Sequence, residues 1–283
     1  MSHPHLIDRI ISEIPGMNDA KISKSPAAST VHLTKDLNGI ARKDSWHYRS
    51  VIVMMNYLVN STQPDLAYLV HQCARFSNDP KHSHEQAVKR IVRYLLFLKR
   101  SNTMGVRYFP DKNKGLDVYC DASFAGDWNL SWSDEPSSVM SRSGFVIKYK
   151  NCPIIAYSKL QSEIALSTTE SEYISLSQSL RDAIPLMELL KELRLIIPGE
   201  DEKPTVHCTV FEDNKGCIDL VKTPRMRPRT KHIALKYHHF RKHIIDKTIS
   251  IQYIETSEQV ADIFTKALPD IQFLKLRKSL TGY

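Results

Sequence analysis

The sequence predicts an α/β fold, a five-stranded mixed sheet flanked by helices and preceded by a small helical module. Three observations lead there. From Ser45 to about Arg100, apolar residues recur at spacings of three and four. After Pro110 that periodicity gives way to short β-rich runs separated by loop residues. The later elements read in order as three strands, a helix, a strand, helices, a strand and a helix, which a mixed sheet with helices on its faces accommodates. At 283 residues with 42% hydrophobic side chains, the chain has material for one large or two ordinary cores.

Residues 1–44 are expected to open with a short helix and continue as "GMNDAKISKSPAASTVHLTKDLNG", which lacks periodicity and reads as an arm or linker. Residues 45–110 form the helical module, with helices at "SWHYRSVIVMMNYLVNST", "PDLAYLVHQCARFSND" and "SHEQAVKRIVRYLLFLKRS". The third helix carries Lys89, Arg90, Arg93, Lys99 and Arg100, a set that suits either a solvated face or a polyanion.

Residues 111–283 form the second domain. Its first three strands lie at "LDVYCDAS", "SGFVIKYK" and "PIIAYSKLQ". The long segment "STTESEYISLSQSLRDAIPLMELLKELRLI" is helical, and Pro185 is expected to kink or split it. A fourth strand follows at "TVHCTVFEDN", a short helix at "NKGCIDLVK", and a basic helix at "TKHIALKYHHFRKHIID". Strand five, "SIQYIETS", leads to the helix "EQVADIFTKALP" and a helical tail.

Composition narrows the function classes. The formal net charge of +8 favours a polyanionic partner. Five separated cysteines without a C-x-x-C pair indicate neither a disulfide framework nor a cysteine zinc site, and fit a reducing compartment. Without a long apolar run, the chain is expected to be soluble and intracellular with no membrane partner, and nothing resolves cytoplasm from nucleus.

Four acids sit at the joints of the second domain. Asp121 ends the first strand in "VYCDASFAGDW", Glu172 lies in the first turns of the long helix, Asp213 ends the fourth strand, and Asp262 lies near the start of the last helix. Each alone reads equally well as a turn or first-turn residue. If the first and fourth strands are neighbours, Asp121 and Asp213 lie side by side, and their repulsion calls for a cation. Hard divalent ions with all-oxygen ligands, above all Mg²⁺, meet that need. Two such ions about 3.5–4 Å apart activate water and stabilise a leaving oxygen in attack at phosphorus.

The blocks "YCDASFAGDW", "SRSGFVI", "LSTTESEYISLS", "EDNKG", "TKHIALKYHHFRKHI" and "VADIFTKALP" resemble, in order, the ribonuclease H domain of copia-type retrotransposon polymerases. The helical module resembles the segment that joins reverse transcriptase to ribonuclease H in those polyproteins, so the resemblance covers about residues 45–270. It implies a ribonuclease H-like sheet of order 3-2-1-4-5, with strand two antiparallel to its neighbours. It also implies endonucleolytic cleavage of the RNA strand of an RNA–DNA hybrid with two Mg²⁺ ions, Mn²⁺ being an accepted substitute. Asp121 would bridge both metals, Glu172 and Asp213 would complete one site, and Asp262 would hold the other. The resemblance favours Glu172 over Glu170, which lies about 200° away around the helix.

Lys89, Arg93, Lys231, His232, Lys236, Arg241 and Lys242 are the candidate contacts to the hybrid's phosphates, and a polymerase chain is the candidate protein partner. Two departures bear on activity. The loop before Asp262, "YIETSEQVAD", lacks the histidine that aids product release in cellular ribonucleases H. Nothing resembles the Y-V-D-D turn of a polymerase palm, so no DNA synthesis is expected. His239 and His243, at i and i+4, suit zinc only if a third ligand approaches. The rival reading is an inactive remnant that binds nucleic acid or serves as a structural connection.

Overall fold

In β1 (Leu116–Ser123), Leu116, Val118 and Cys120 are buried in alternation, the period-two pattern of a strand with one face in a core. The structure is a computed structural model that describes residues 1–27, 33–126, 128, 135–196, 206–222 and 238–283. β1 pairs antiparallel with β2 (Arg142–Tyr149), and β2 antiparallel with β3 (Cys152–Leu160). The β2–β3 turn needs only Lys150 and Asn151, with φ of 50° and 65°. Two successive left-handed residues form the turn whose twist matches a hairpin, and asparagine tolerates that region well.

On its other side β1 runs parallel to β4 (Cys208–Glu212), which runs parallel to β5 (Ile249–Tyr253). The order β3-β2-β1-β4-β5, with β2 antiparallel, is the ribonuclease H-like sheet expected from the sequence.

Helix α5 (Thr168–Ile196) lies on this sheet and buries Tyr173, Leu176, Leu180, Ala183 and Met187 against Val118, Phe145 and Val210. Ser171, Ser175 and Ser179, at steps of four, are also fully buried. Their small side chains admit a close approach of helix and sheet, and Ser175 Oγ donates to the Asp121 carbonyl at 2.8 Å. Pro185 does not split α5, which is one continuous helix. The proline lies on the exposed side of α5, while Ala183 and Met187 are buried against the sheet and hold the helix in place.

Beyond β4 lie α6 (Lys215–Lys222) and α7 (Arg241–Ile245), the latter within the stretch expected as a basic helix, whose residues 230–237 lie outside the described residues. The short α8 (Asp262–Thr265) replaces the longer helix expected at "EQVADIFTKALP", and the tail forms α9 (Asp270–Thr281).

The chain divides into two compact units. One holds 109–126 and 139–262, including the whole sheet. The other holds Met1–Tyr108 and Ile263–Tyr283 with the segment ending at Ser138. Its helices are α1 (Pro4–Glu13), α2 (Tyr48–Ser61), α3 (Ala67–Ala74), α4 (His82–Arg100) and α9. Within the stretch expected as an arm, α1 buries Ile7, Ile10 and Ile11. Asp65 of this unit, 1% exposed, accepts from Arg277 Nε of α9 at 2.8 Å and from the Tyr94 hydroxyl of α4. The Arg277 guanidinium also donates to the Thr103 carbonyl. All five cysteines are buried and free of disulfides. Among the described residues, no helix is long and apolar enough to cross a membrane.

Candidate active site

The β1–β4 ladder pairs Tyr119 with Phe211, so the residues two further along each strand, Asp121 and Asp213, stand level at the carboxyl ends of adjacent parallel strands. That is where open α/β sheets collect ligand-binding groups. Glu172 reaches the same point from the first turns of α5, which packs across β1 and β2. One carboxylate oxygen from each of Asp121, Glu172 and Asp213 lies within 4.8 Å of the others.

Asp121 and Glu172 are buried and Asp213 is half-buried, so solvent screens little of their repulsion. Burial first, then the charges of Asp121, Glu212 and Asp213, pushes the Glu172 carboxyl well above the usual range, against an opposing hydrogen bond from the Ala122 N–H. Glu172 Oε2 is buried without a hydrogen-bond partner. Three converging carboxylates with a buried unsatisfied oxygen are a donor set suited to a hard divalent cation.

Asp262, 3% exposed, opens α8 and stands outside the 4.8 Å group. Its N–H donates to the Gln259 carbonyl at 3.2 Å. Glu170 has a different task. Its own N–H donates to Ser167 Oγ at 3.2 Å, so Ser167 caps α5, and its Oε2 accepts from the Leu166 N–H at 2.8 Å, which ties the residue before the cap to the first turn.

Two participants escaped the sequence reading. Glu212, fully buried, accepts from the Asn214 N–H at 3.0 Å and from the Cys120 thiol at 3.4 Å. Burial above all pushes it up to about 8, with Asp213 and Asp121 adding to the rise. The period-two pattern of β4 carried that signal, since Cys208, Val210 and Glu212 share the core face. Thr256 Oγ1 donates to Asp213 Oδ2 at 2.7 Å, a contact between distant segments that no local pattern announces.

The basic candidates divide. Lys89 Nζ is 2.6 Å from Asp44 and 3.7 Å from Glu85, so its charge is answered within its own unit. Arg93 is half-buried on α4. Arg241 is half-buried, with Tyr173 as a hydrogen-bond partner, and Lys242 is exposed. Lys231, His232 and Lys236 lie outside the described residues. No third ligand joins His239 and His243 among the described residues. Burial, Arg181 and His243 hold His239 below its usual pKa.

No protein-family model matches the chain. It is 31% identical over 287 residues to the retrovirus-related Pol polyprotein from transposon TNT 1-94 of Nicotiana tabacum, a match covering 100% of this chain and 20% of that protein. It is 30% identical over 271 residues to the Pol polyprotein from transposon RE2 of Arabidopsis thaliana, covering 93% of this chain and 17% of that one. The chain belongs to the copia-type retrotransposon Pol family. It spans about a fifth of the length of these Pol relatives. A third match, 35% identical over 137 residues, covers 48% of this chain and 89% of the secreted RxLR effector protein 161 of Plasmopara viticola. Half of this Pol-type sequence therefore also accounts for most of a far shorter protein. Among solved structures, the N-terminal RNase H domain of Rv2228c from Mycobacterium tuberculosis aligns at 13% identity over 58% of this chain and 97% of that one, with a TM-score of 0.35.

The acidic group makes stability depend on pH. A carboxyl whose folded pKa lies above its unfolded value keeps its proton more tightly when folded. The stabilisation is complete below the ordinary glutamate value of 4.5 and is lost as pH rises through the raised value, about 8 for Glu212. The thermal midpoint of the metal-free chain is therefore expected to fall across that window. Glu172→Gln should flatten the fall, and saturating Mn²⁺ should raise the midpoint more at its upper end than at its lower. Equal Mn²⁺ stabilisation at both ends would count against carboxyls that exchange protons for metal.

Proposed function

We propose that the chain is a metal-dependent endoribonuclease that cleaves the RNA strand of RNA–DNA hybrids as a piece of a retrotransposon polymerase polyprotein. The observation that carries this reading is the approach of Asp121, Glu172 and Asp213 within 4.8 Å at the carboxyl ends of β1 and β4. In this reading those three residues hold Mg²⁺ or Mn²⁺, and Asp262 serves a second ion. Such ions supply an activated water at neutral pH and charge neutralisation at the leaving oxygen.

The chain's own residues do the positioning. Asp121 on β1 and Asp213 after β4 present carboxylates at one level, and the rigid sheet beneath fixes their separation. Thr256 orients Asp213 through its hydroxyl, and Ser175 anchors the Asp121 backbone to α5. The helical unit would act as the connection after a reverse transcriptase, with a polymerase chain as its partner.

The deciding experiment is Mg²⁺-dependent cleavage of the labelled RNA strand of a hybrid by the full chain, with and without a polymerase partner. An inert chain that still binds hybrid would support the remnant reading. Phosphate contacts give a second measurement. The log–log salt slope of hybrid affinity should flatten by about one unit in Lys242→Ala. Lys89→Ala should leave the slope nearly unchanged, because Asp44 already balances that charge. Affinity indifferent to salt would leave both as ordinary surface lysines.

A further inference from the structure

We infer that Gln259 is a positioning residue that sets the geometry of the acidic group by tying together the backbones that carry Asp121, Asp213 and Asp262. The inference rests on the metal-site reading for its effect on ion binding, and on geometry alone for its effect on the carboxylates.

The β1–β4 ladder ends at Tyr119 and Phe211, and both strands continue past it with carbonyls the ladder no longer engages. Gln259, fully buried, supplies one amide to both sides of that gap. Its Nε2 donates to the Cys120 carbonyl at 2.9 Å and to the Phe211 carbonyl at 3.3 Å. Cys120 immediately precedes Asp121, and Phe211 stands two residues before Asp213.

The remaining atoms of the same residue govern the third backbone. Gln259 Oε1 accepts from the Ala261 N–H at 3.3 Å, and its carbonyl accepts from the Asp262 N–H at 3.2 Å. Its own N–H donates to the Thr256 carbonyl at 3.1 Å, and Thr256 in turn grips Asp213. Two donors and one acceptor on a planar amide are needed, and only an amide side chain offers both within this reach. A carboxylate here would face two carbonyls without a proton to give.

Repulsion among Asp121, Glu172 and Asp213 tends to spread the strand ends, and the doubly bonded amide opposes that spreading where the ladder stops. Partners that hydrogen-bond ligating side chains typically change metal affinity 10–100-fold when lost, and Gln259, which acts through the backbones of Cys120 and Phe211, is expected at the lower end of that range or below it.

Gln259→Met keeps the length and packing while removing every side-chain hydrogen bond. Ile249→Ala is the control, because Ile249 is a buried core residue of β5, a strand that carries none of the acids. Two quantities are read on the full chain: carboxyl ¹³C shifts of Asp121, Asp213 and Asp262 without metal, and Mn²⁺ affinity by calorimetry. Gln259→Met is expected to move those resonances and weaken Mn²⁺ by up to about tenfold. Ile249→Ala should lower the thermal midpoint while leaving both readings as in the wild type. Unmoved resonances in Gln259→Met, or equal movement in Ile249→Ala, would overturn the inference. A wild type that binds no Mn²⁺, with resonances that still move in Gln259→Met, would remove the metal reading and leave the positioning role standing.

Discussion

Asp121→Asn is expected to lower Mg²⁺-dependent cleavage of the hybrid's RNA strand by about a thousandfold, while hybrid binding survives. The substitution keeps the shape of the side chain and removes the charge that would bridge two cations. A loss of about 4 kcal/mol of transition-state stabilisation corresponds to that factor. Asp213→Asn should be nearly as damaging, and the double variant little worse than either single one, because residues that assemble one metal cluster fail as a unit.

Glu172→Gln should cost far more activity than Glu170→Gln, whose amide oxygen can still accept from the Leu166 N–H and so leaves the start of α5 held. Single-turnover cleavage of an end-labelled hybrid at saturating enzyme separates these effects from binding. Activity in Asp121→Asn equal to wild type would end the assignment of the acidic group.

The second large effect belongs to the helical unit. Arg277→Met is expected to destabilise that unit by about 3–5 kcal/mol, because it leaves the Asp65 carboxylate buried at 1% exposure without its cation. That is a large share of the ~5–15 kcal/mol that holds a typical domain together. The Tyr94 hydroxyl keeps its acceptor but cannot neutralise the charge. Replacing the pair together, as Asp65→Leu with Arg277→Met, should recover part of the loss, because two buried charges are then removed at once.

Urea unfolding with amide exchange resolved to α4 and α9 would report it. Protection in both helices should collapse together. An effect below ~1 kcal/mol would show that the ion pair adds little to the docking of α9.

Much of the architecture was legible from neighbouring residues alone. The alternation in "LDVYCDAS" predicts β1, and the three-and-four spacing in "SHEQAVKRIVRYLLFLKRS" predicts α4, because each pattern is a local consequence of how a strand or helix turns its side chains. Pro185 shows where local rules overreach, since its cost depends on whether the freed carbonyl faces water, which only the packing of α5 decides. The choice between Glu170 and Glu172 turned on the same point. Both lie in the first turns of one helix, and the face α5 sets against β1 selects Glu172 for the acidic group and leaves Glu170 to hold the helix start.

By itself, the sequence determined the strands, most of the described helices, their order, and the acids waiting at the element ends. Tertiary structure decided what those acids meet. The level placement of Asp121 and Asp213 follows from the parallel register of β1 with β4, Gln259 reaches Cys120 across 139 residues, and Arg277 reaches Asp65 across 212. Contacts at such separations leave no periodic trace in the chain, because they are selected by burial and hydrogen-bond satisfaction of the whole fold rather than by the conformational preference of adjacent residues.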